Sequence, residues 1–170
     1  MITRTHTKGD APSTAVYSDC ERYRYTLTRV WDAGGGKALF IMLNPSTATE
    51  ERNDTTIARC EGRARRGGFG GVEILNLFAF RATRPADLRQ AEDPVGPGNG
   101  QVVLESAARA GMILCGWGVH GALRDAGALM RETLNARGLV LHTLGLTKAG
   151  HPRHPLYVGN AVVPQPWPVG

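Results

Sequence analysis

Residues able to bind or transform a ligand gather at four places in the chain, each directly after an apolar run. Ala38-Leu39-Phe40-Ile41-Met42-Leu43 gives way to Asn44-Pro45-Ser46-Thr47. Val72-Glu73-Ile74-Leu75-Asn76-Leu77-Phe78 leads into Ala79-Phe80-Arg81-Ala82-Thr83. Met112-Ile113-Leu114-Cys115 runs into Gly116-Trp117-Gly118-Val119-His120. Leu139-Val140-Leu141-His142-Thr143-Leu144 leads to Gly145-Leu146-Thr147-Lys148 and on to His151-Pro152-Arg153-His154-Pro155-Leu156-Tyr157. Polar, aromatic and glycine residues converging on one set of strand ends are what a small-molecule pocket requires. Leu43 to Thr47 is expected to form the rim of that pocket.

Each element also has a plainer reading. Asn44-Pro45 serves equally well as a strand-terminating turn. Phe78, Phe80 and Trp117 suit core packing, or else present flat rings for stacking on a base. His120 suits a cap or a solvent-facing side chain, and Lys148 a surface lysine. His151-Pro152-Arg153-His154-Pro155 is harder to assign to structure alone, because two histidines are each stiffened by a following proline. Metal binding is the weaker option there, since no His, Cys or Asp partner stands at a recognisable ligand spacing.

Arg52, Arg59, Arg63, Arg65, Arg66, Arg81 and Arg84 crowd the stretch after the Asn-Pro segment. They make a solvated helix face or, beside a pocket, an approach for an anionic ligand. The net charge of +5 (20 Lys plus Arg against 15 Asp plus Glu) adds only weakly to the case for nucleic acid. No G-x-S-x-G elbow, Walker loop or G-x-G-x-x-G occurs, which removes the common hydrolase, NTPase and dinucleotide readings, and no cofactor is expected. Cys20, Cys60 and Cys115 are scattered and odd in number, against a disulfide framework or a cysteine metal site. No apolar run reaches membrane-span length, and Met1-Ile2-Thr3-Arg4 opens no signal-peptide pattern. A cytoplasmic protein without membrane contact, favoured as a monomer, is the expectation.

The elements that must position these residues follow from hydrophobic period. The four apolar runs read as strands covered on both faces. Tyr23 to Trp31 alternates and is rich in β-formers, reading as a half-exposed strand. Asp54 or Thr55 caps a helix through about Arg66, closed by Gly67-Gly68. Pro85 to Ala91 reads as a short helix opened by proline. Asn99 to Ala110 and Gly121 to Arg137 read as longer helices. Strand–helix alternation of this kind predicts right-handed crossovers and a parallel sheet. The expected fold is a single α/β domain over residues 1–170, a three-layer α/β/α sandwich. It has four parallel strands and an antiparallel strand at the sheet edge, with residues 1–16 a flexible or peripheral arm. Ligands of such sheets bind outside the carboxyl ends of the strands.

Several motifs resemble a bacterial and phage family known only as a domain of unknown function. They are Met42-Leu43-Asn44-Pro45-Ser46-Thr47-Ala48, Asn53 to Cys60, Asn76-Leu77-Phe78-Ala79-Phe80-Arg81, Trp117-Gly118, and Gly145 to Lys148 through His154-Pro155-Leu156-Tyr157. The layout more distantly resembles the uracil-DNA glycosylase superfamily. Asn44-Pro45 is similar to the motif after that superfamily's first core strand, without its flanking glycines. His154-Pro155 is similar to the motif after the last, with Leu156 in place of serine. This resemblance implies hydrolysis of an N-glycosidic bond in DNA, a nucleoside or a nucleotide. Asn44 would then position the attacking water, His154 would stabilise the departing base, and Asp54 would act as general base or steady the cationic sugar. Pro45, Ser46, Thr47, Phe78, Phe80, Trp117, Lys148, His151 and Tyr157 would line the substrate site. Arg52, Arg59, Arg63, Arg66, Arg81 and Arg153 would hold phosphates. A non-catalytic module binding nucleic acid or a modified nucleotide through the same pocket is the alternative. An unrelated enzyme of nucleotide metabolism, such as a transferase, is a third.

Overall fold

A computed structural model describes residues 1–170. Strands β1 (Ile2–Lys8), β2 (Ala11–Tyr17), β3 (Arg24–Val30), β4 (Lys37–Met42), β5 (Gly71–Asn76), β6 (Met112–Cys115), β7 (Leu141–Thr143) and β8 (Gln165–Trp167) form one sheet. Their order is β1-β2-β3-β5-β4-β6-β7-β8. β4 pairs in parallel with β5 and β6, and β6 in parallel with β7. The remaining pairings are antiparallel. Four helices accompany the sheet: α1 (Thr55–Arg66), α2 (Pro85–Gln90), α3 (Asn99–Ala108) and α4 (Ala126–Ala136). No helix is long and apolar enough to cross a membrane.

Side-chain alternation splits the core between the two faces of the sheet. Ala38, Phe40 and Met42 of β4 pack with Ile57, Cys60 and Ala64 of α1. Leu39 and Ile41 pack with Val103 and Ala107 of α3 and Leu134 of α4. Because both faces are covered, the β4 run contains no polar residue after Lys37. The crossover from β4 reaches β5 on one side, while β6 lies on the other. The carboxyl ends of β4 and β6 therefore border the reversal point where open sheets of this class bind ligands.

Several features differ from the sequence reading. The helix expected from Gly121 to Arg137 is an α-helix only from Ala126, because Arg124 and Asp125 take left-handed backbone angles (φ 54° and 55°) that break the 3-10 turn before it. The sheet is mixed and eight-stranded, so four parallel strands and one antiparallel partner undercount it. β3 is an interior strand rather than an edge, because residues 2–17 form an antiparallel hairpin alongside it. In that hairpin Ala11, Ser13, Ala15 and Tyr17 are buried while β1 is exposed along most of its length. Small and polar inward residues give the hairpin too weak an apolar signal to read as a strand, hence the expected arm. β8 contains a proline and spans three residues, so it exists only through its pairing with β7.

The glycine-rich connection into β5 is a steric requirement. A Cβ on Gly70 would lie 1.9 Å from the Asp32 carbonyl oxygen. Trp31 and Asp32 both donate their N–H to the Gly70 carbonyl, so the turn after β3 closes directly on this backbone.

Candidate functional site

A cleft of about 570 Å³ opens where β4 and β6 end. Met42 to Ser46 form one wall, and Trp117 to His120 form the other. Asp54, Thr56 and Ile57 enter from the start of α1, and Arg153, His154 and Tyr157 from the segment after β7. Ile74 and Asn76, two residues apart on β5 and thus on one face, supply the inner surface with Arg24 of β3.

Asn44 is held rigidly. Its Nδ2 donates to the Pro45 carbonyl (3.0 Å) and to the Ala82 carbonyl (2.8 Å), tying the end of β4 to the loop after β5. Its Oδ1 makes no hydrogen bond within the protein, so the side chain offers an acceptor alone. Asp54 is the N-cap of α1, its Oδ1 accepting the Ile57 N–H at 2.9 Å. One carboxylate oxygen remains for other work. His154 accepts the Leu156 N–H through Nδ1 at 3.2 Å. The neutral ring therefore carries its proton on Nε2. Burial pushes the imidazole pKa down, against the opposing pull of the Asp54 charge.

Asn76 and Arg24 are the residues that the sequence reading passed over. Asn76 is 1% exposed, and neither Oδ1 nor Nδ2 has a partner. Its backbone is fixed, because Asn99 Nδ2 donates to the Asn76 carbonyl at 2.9 Å and Leu77 N–H bonds the Met42 carbonyl. Such an orphaned buried amide is rare and calls for an explanation. Its signal in the sequence is a carboxamide closing a buried, mostly apolar run. Arg24 is 2% exposed and makes one side-chain hydrogen bond, from Nη1 to the Ala48 carbonyl (2.8 Å). Its Nε is unpartnered, and burial lowers its pKa to about 10, which leaves it cationic at neutral pH. The sequence places it in a strand expected to be half exposed, and nothing there marks it as buried.

Trp117 is buried with its indole against two glycines and 5.9 Å from the Trp167 ring. A Cβ at Gly121 would approach the indole Cδ1 to 2.2 Å, and one at Gly127 would approach Nε1 to 2.5 Å. Gly121→Ala is expected to displace the indole toward the cleft and cost roughly 1–3 kcal/mol by overpacking. Chemical denaturation followed by tryptophan emission measures both effects.

Asn44, Asp54, His154, Pro45, Ser46, Trp117, Tyr157 and Arg153 all line this one cleft. The other expected site residues do not. Thr47 is exposed beside the rim, and Lys148 is exposed beyond it. Phe78 is fully buried in the core facing α2 and α3, because its strand end is covered there. Phe80 packs edge-on against Tyr23 and, with Arg81, lines a neighbouring depression. His151 lies on the far side of Trp117, lining a separate cavity of about 230 Å³.

Most of the arginine cluster is structural or peripheral. Arg63 donates to the carbonyls of Val162 (2.6 Å), Gly159 (2.8 Å) and Val158 (3.1 Å), and Arg59 also reaches Val158 (3.2 Å). Arg81 donates to the Glu21 carbonyl and lies over the Tyr17 ring. Arg52 and Arg66 are exposed and do not line the cleft. No group of three or more His, Cys, Asp or Glu side chains is placed to hold a metal ion.

No curated protein and no solved structure matches the chain. A family profile described as "protein of unknown function (DUF1643)" matches residues 24–156. That span opens at Arg24, closes at Leu156 and encloses every residue of the cleft except Tyr157. The chain belongs to the DUF1643 family.

Proposed function

We propose that the protein is a hydrolase that releases a nucleobase by cleaving an N-glycosidic bond. The observation that carries this reading is Asn76, a buried carboxamide at the inner end of the cleft with donor and acceptor both unused. A free NH2 beside a free oxygen is complementary to the amide or imide edge of a nucleobase. The similarity of Asn44-Pro45 and His154-Pro155 to uracil-DNA glycosylase motifs supports the same reading.

The chemistry divides among three side chains. Bond cleavage leaves positive charge on the sugar and negative charge on the base. The His154 Nε2–H donates to a base oxygen as that negative charge grows, its Nδ1 held by the Leu156 N–H. Asn44 Oδ1 accepts a hydrogen bond from the water that attacks the sugar carbon. The free oxygen of Asp54 takes the proton of that water or steadies the cationic sugar. Water supplies hydroxyl to the sugar and the base departs with a proton, so the reaction balances without a cofactor.

The test is incubation with nucleosides, nucleotides and DNA bearing uracil, mismatched or modified bases, assayed for free base and abasic sites. Release should fall by about 10²–10⁴-fold in His154→Ala and in Asn44→Ala. Ligand binding without release from any of these compounds overturns the hydrolase and leaves a binding module.

The pH profile gives a second check. Burial holds the pKa of His154 below its ordinary value of 6.5, so the neutral ring predominates at and above that pH. Protonation would take away the Nδ1 acceptor that the Leu156 N–H uses to orient the ring, so the rate should fall on acidification below pH 6.5, a limb that His154→Asn removes. The same group contributes stability that is present above its unfolded pKa and lost as pH falls through its lower folded one.

A further inference from the structure

Arg24 presents a charge that the protein does not neutralise. Its guanidinium is almost wholly buried, forms no ion pair, and spends one hydrogen bond on a main-chain carbonyl. Asp54 reaches it only through its charge, without forming an ion pair, and the buried carboxylate of Glu50 accepts the Tyr17 hydroxyl at 2.8 Å. A buried cation without a partner is strongly unfavourable unless something else completes it. Arg24 lines the same cleft as Asn76, whose amide is also unsatisfied.

The charges lining the cleft point the same way. Arg24, Arg84 and Arg153 stand against a single carboxylate, Asp54, whose Oδ1 already caps α1. The outer two arginines are exposed and the inner one is not, so the attraction persists where water does not screen it. Meanwhile two of the arginines of α1, Arg59 and Arg63, are bound to the protein's own carbonyls and are not free for a long polyanion.

We infer that the cleft takes a small ligand carrying an oxyanion, which pairs with Arg24 while Asn76 bonds the same or an adjacent group. This deepens the nucleobase reading and rests on it for the kind of molecule: a free mononucleotide, through its phosphate monoester, or a base bearing a carboxylate. A guanidinium suits either, since both present two oxygens in its plane.

The experiment compares matched neutral and anionic compounds on the full chain by calorimetric titration at low ionic strength. The pairs are uridine with uridine 5′-monophosphate, adenosine with adenosine 5′-monophosphate, and uracil with orotate, with inorganic phosphate as competitor. At least one anionic member is expected to bind about tenfold or more tightly than its neutral partner. Discrimination within the nucleotide pairs, with competition by phosphate, identifies a phosphate monoester. Discrimination within the orotate pair alone identifies a carboxylated base.

Arg24→Gln should remove the preference, whereas Arg84→Ala and Arg153→Ala should retain most of it. If Arg24→Gln does not fold, as read by circular dichroism, Arg24→Lys and the wild-type pairs carry the test. Equal binding within every pair, or a preference that survives loss of the Arg24 guanidinium, overturns the inference. The two readings fail separately. An Arg24-dependent preference without base release removes only the hydrolase, and release of base from neutral nucleosides independent of Arg24 removes only the oxyanion.

Discussion

Asn76→Leu is expected to make the protein more stable and to abolish its ligand binding. The Asn76 amide is buried with both polar atoms unpaired, so the folded state bears the desolvation of a carboxamide with no bond in return. Removing such a group while keeping its volume should stabilise the fold by about 1 kcal/mol, a rise in Tm of roughly 2–4 °C for a chain of this size. The neighbours suit the change, because Ile74 and Met42 already give the inner surface of the cleft an apolar lining. Ligand affinity or base release should fall by at least about 10²-fold, since a site built to hydrogen-bond its ligand loses both bonds at once. Thermal melts and titrations on one preparation read the two effects together. A lower Tm with unchanged binding would instead make Asn76 a structural residue.

Arg63→Ala has the opposite signature, damaging stability first and the cleft as a consequence. Its guanidinium gathers three carbonyls of the segment after His154, from Val158, Gly159 and Val162. Hydrogen bonds from a charged donor contribute about 1.5–3 kcal/mol each where water is excluded. Here part of the segment is at the surface, and water can replace some of what is lost. A destabilisation of about 3 kcal/mol is expected from urea denaturation, with proteolysis between residues 155 and 170 becoming rapid at native conditions. Because His154 and Tyr157 lie at the start of that segment, ligand binding should weaken in parallel. Arg66→Ala, on the exposed side of the same helix, should change stability by no more than about 0.5 kcal/mol.

These contrasts mark where reading along the chain stops being informative. The four apolar runs, the Asp54 cap and the proline that opens α2 are local signals, each completed within a few residues. They were legible, and so was the convergence of Asn44, Trp117 and His154, because parallel strands deliver their carboxyl ends to one edge of a sheet. The side of the strand on which a residue falls was less legible. Phe78 lies two residues beyond Asn76, where the backbone has turned it into the core under α2 and α3, away from the cleft.

The amino-acid sequence alone thus determined the central strands, the helices between them and the edge of the sheet where the cleft opens. Tertiary structure decided which polar groups have partners. Arg59 and Arg63 find carbonyls 95 to 99 residues away, so their charges are spent on holding the chain together. Arg24 and Asn76 are at least as buried, yet receive too few partners. An arginine's sequence neighbours record nothing about this difference. Whether its hydrogen bonds end on protein or remain free for a ligand depends on long-range packing, which brings distant carbonyls within about 3 Å of it or does not.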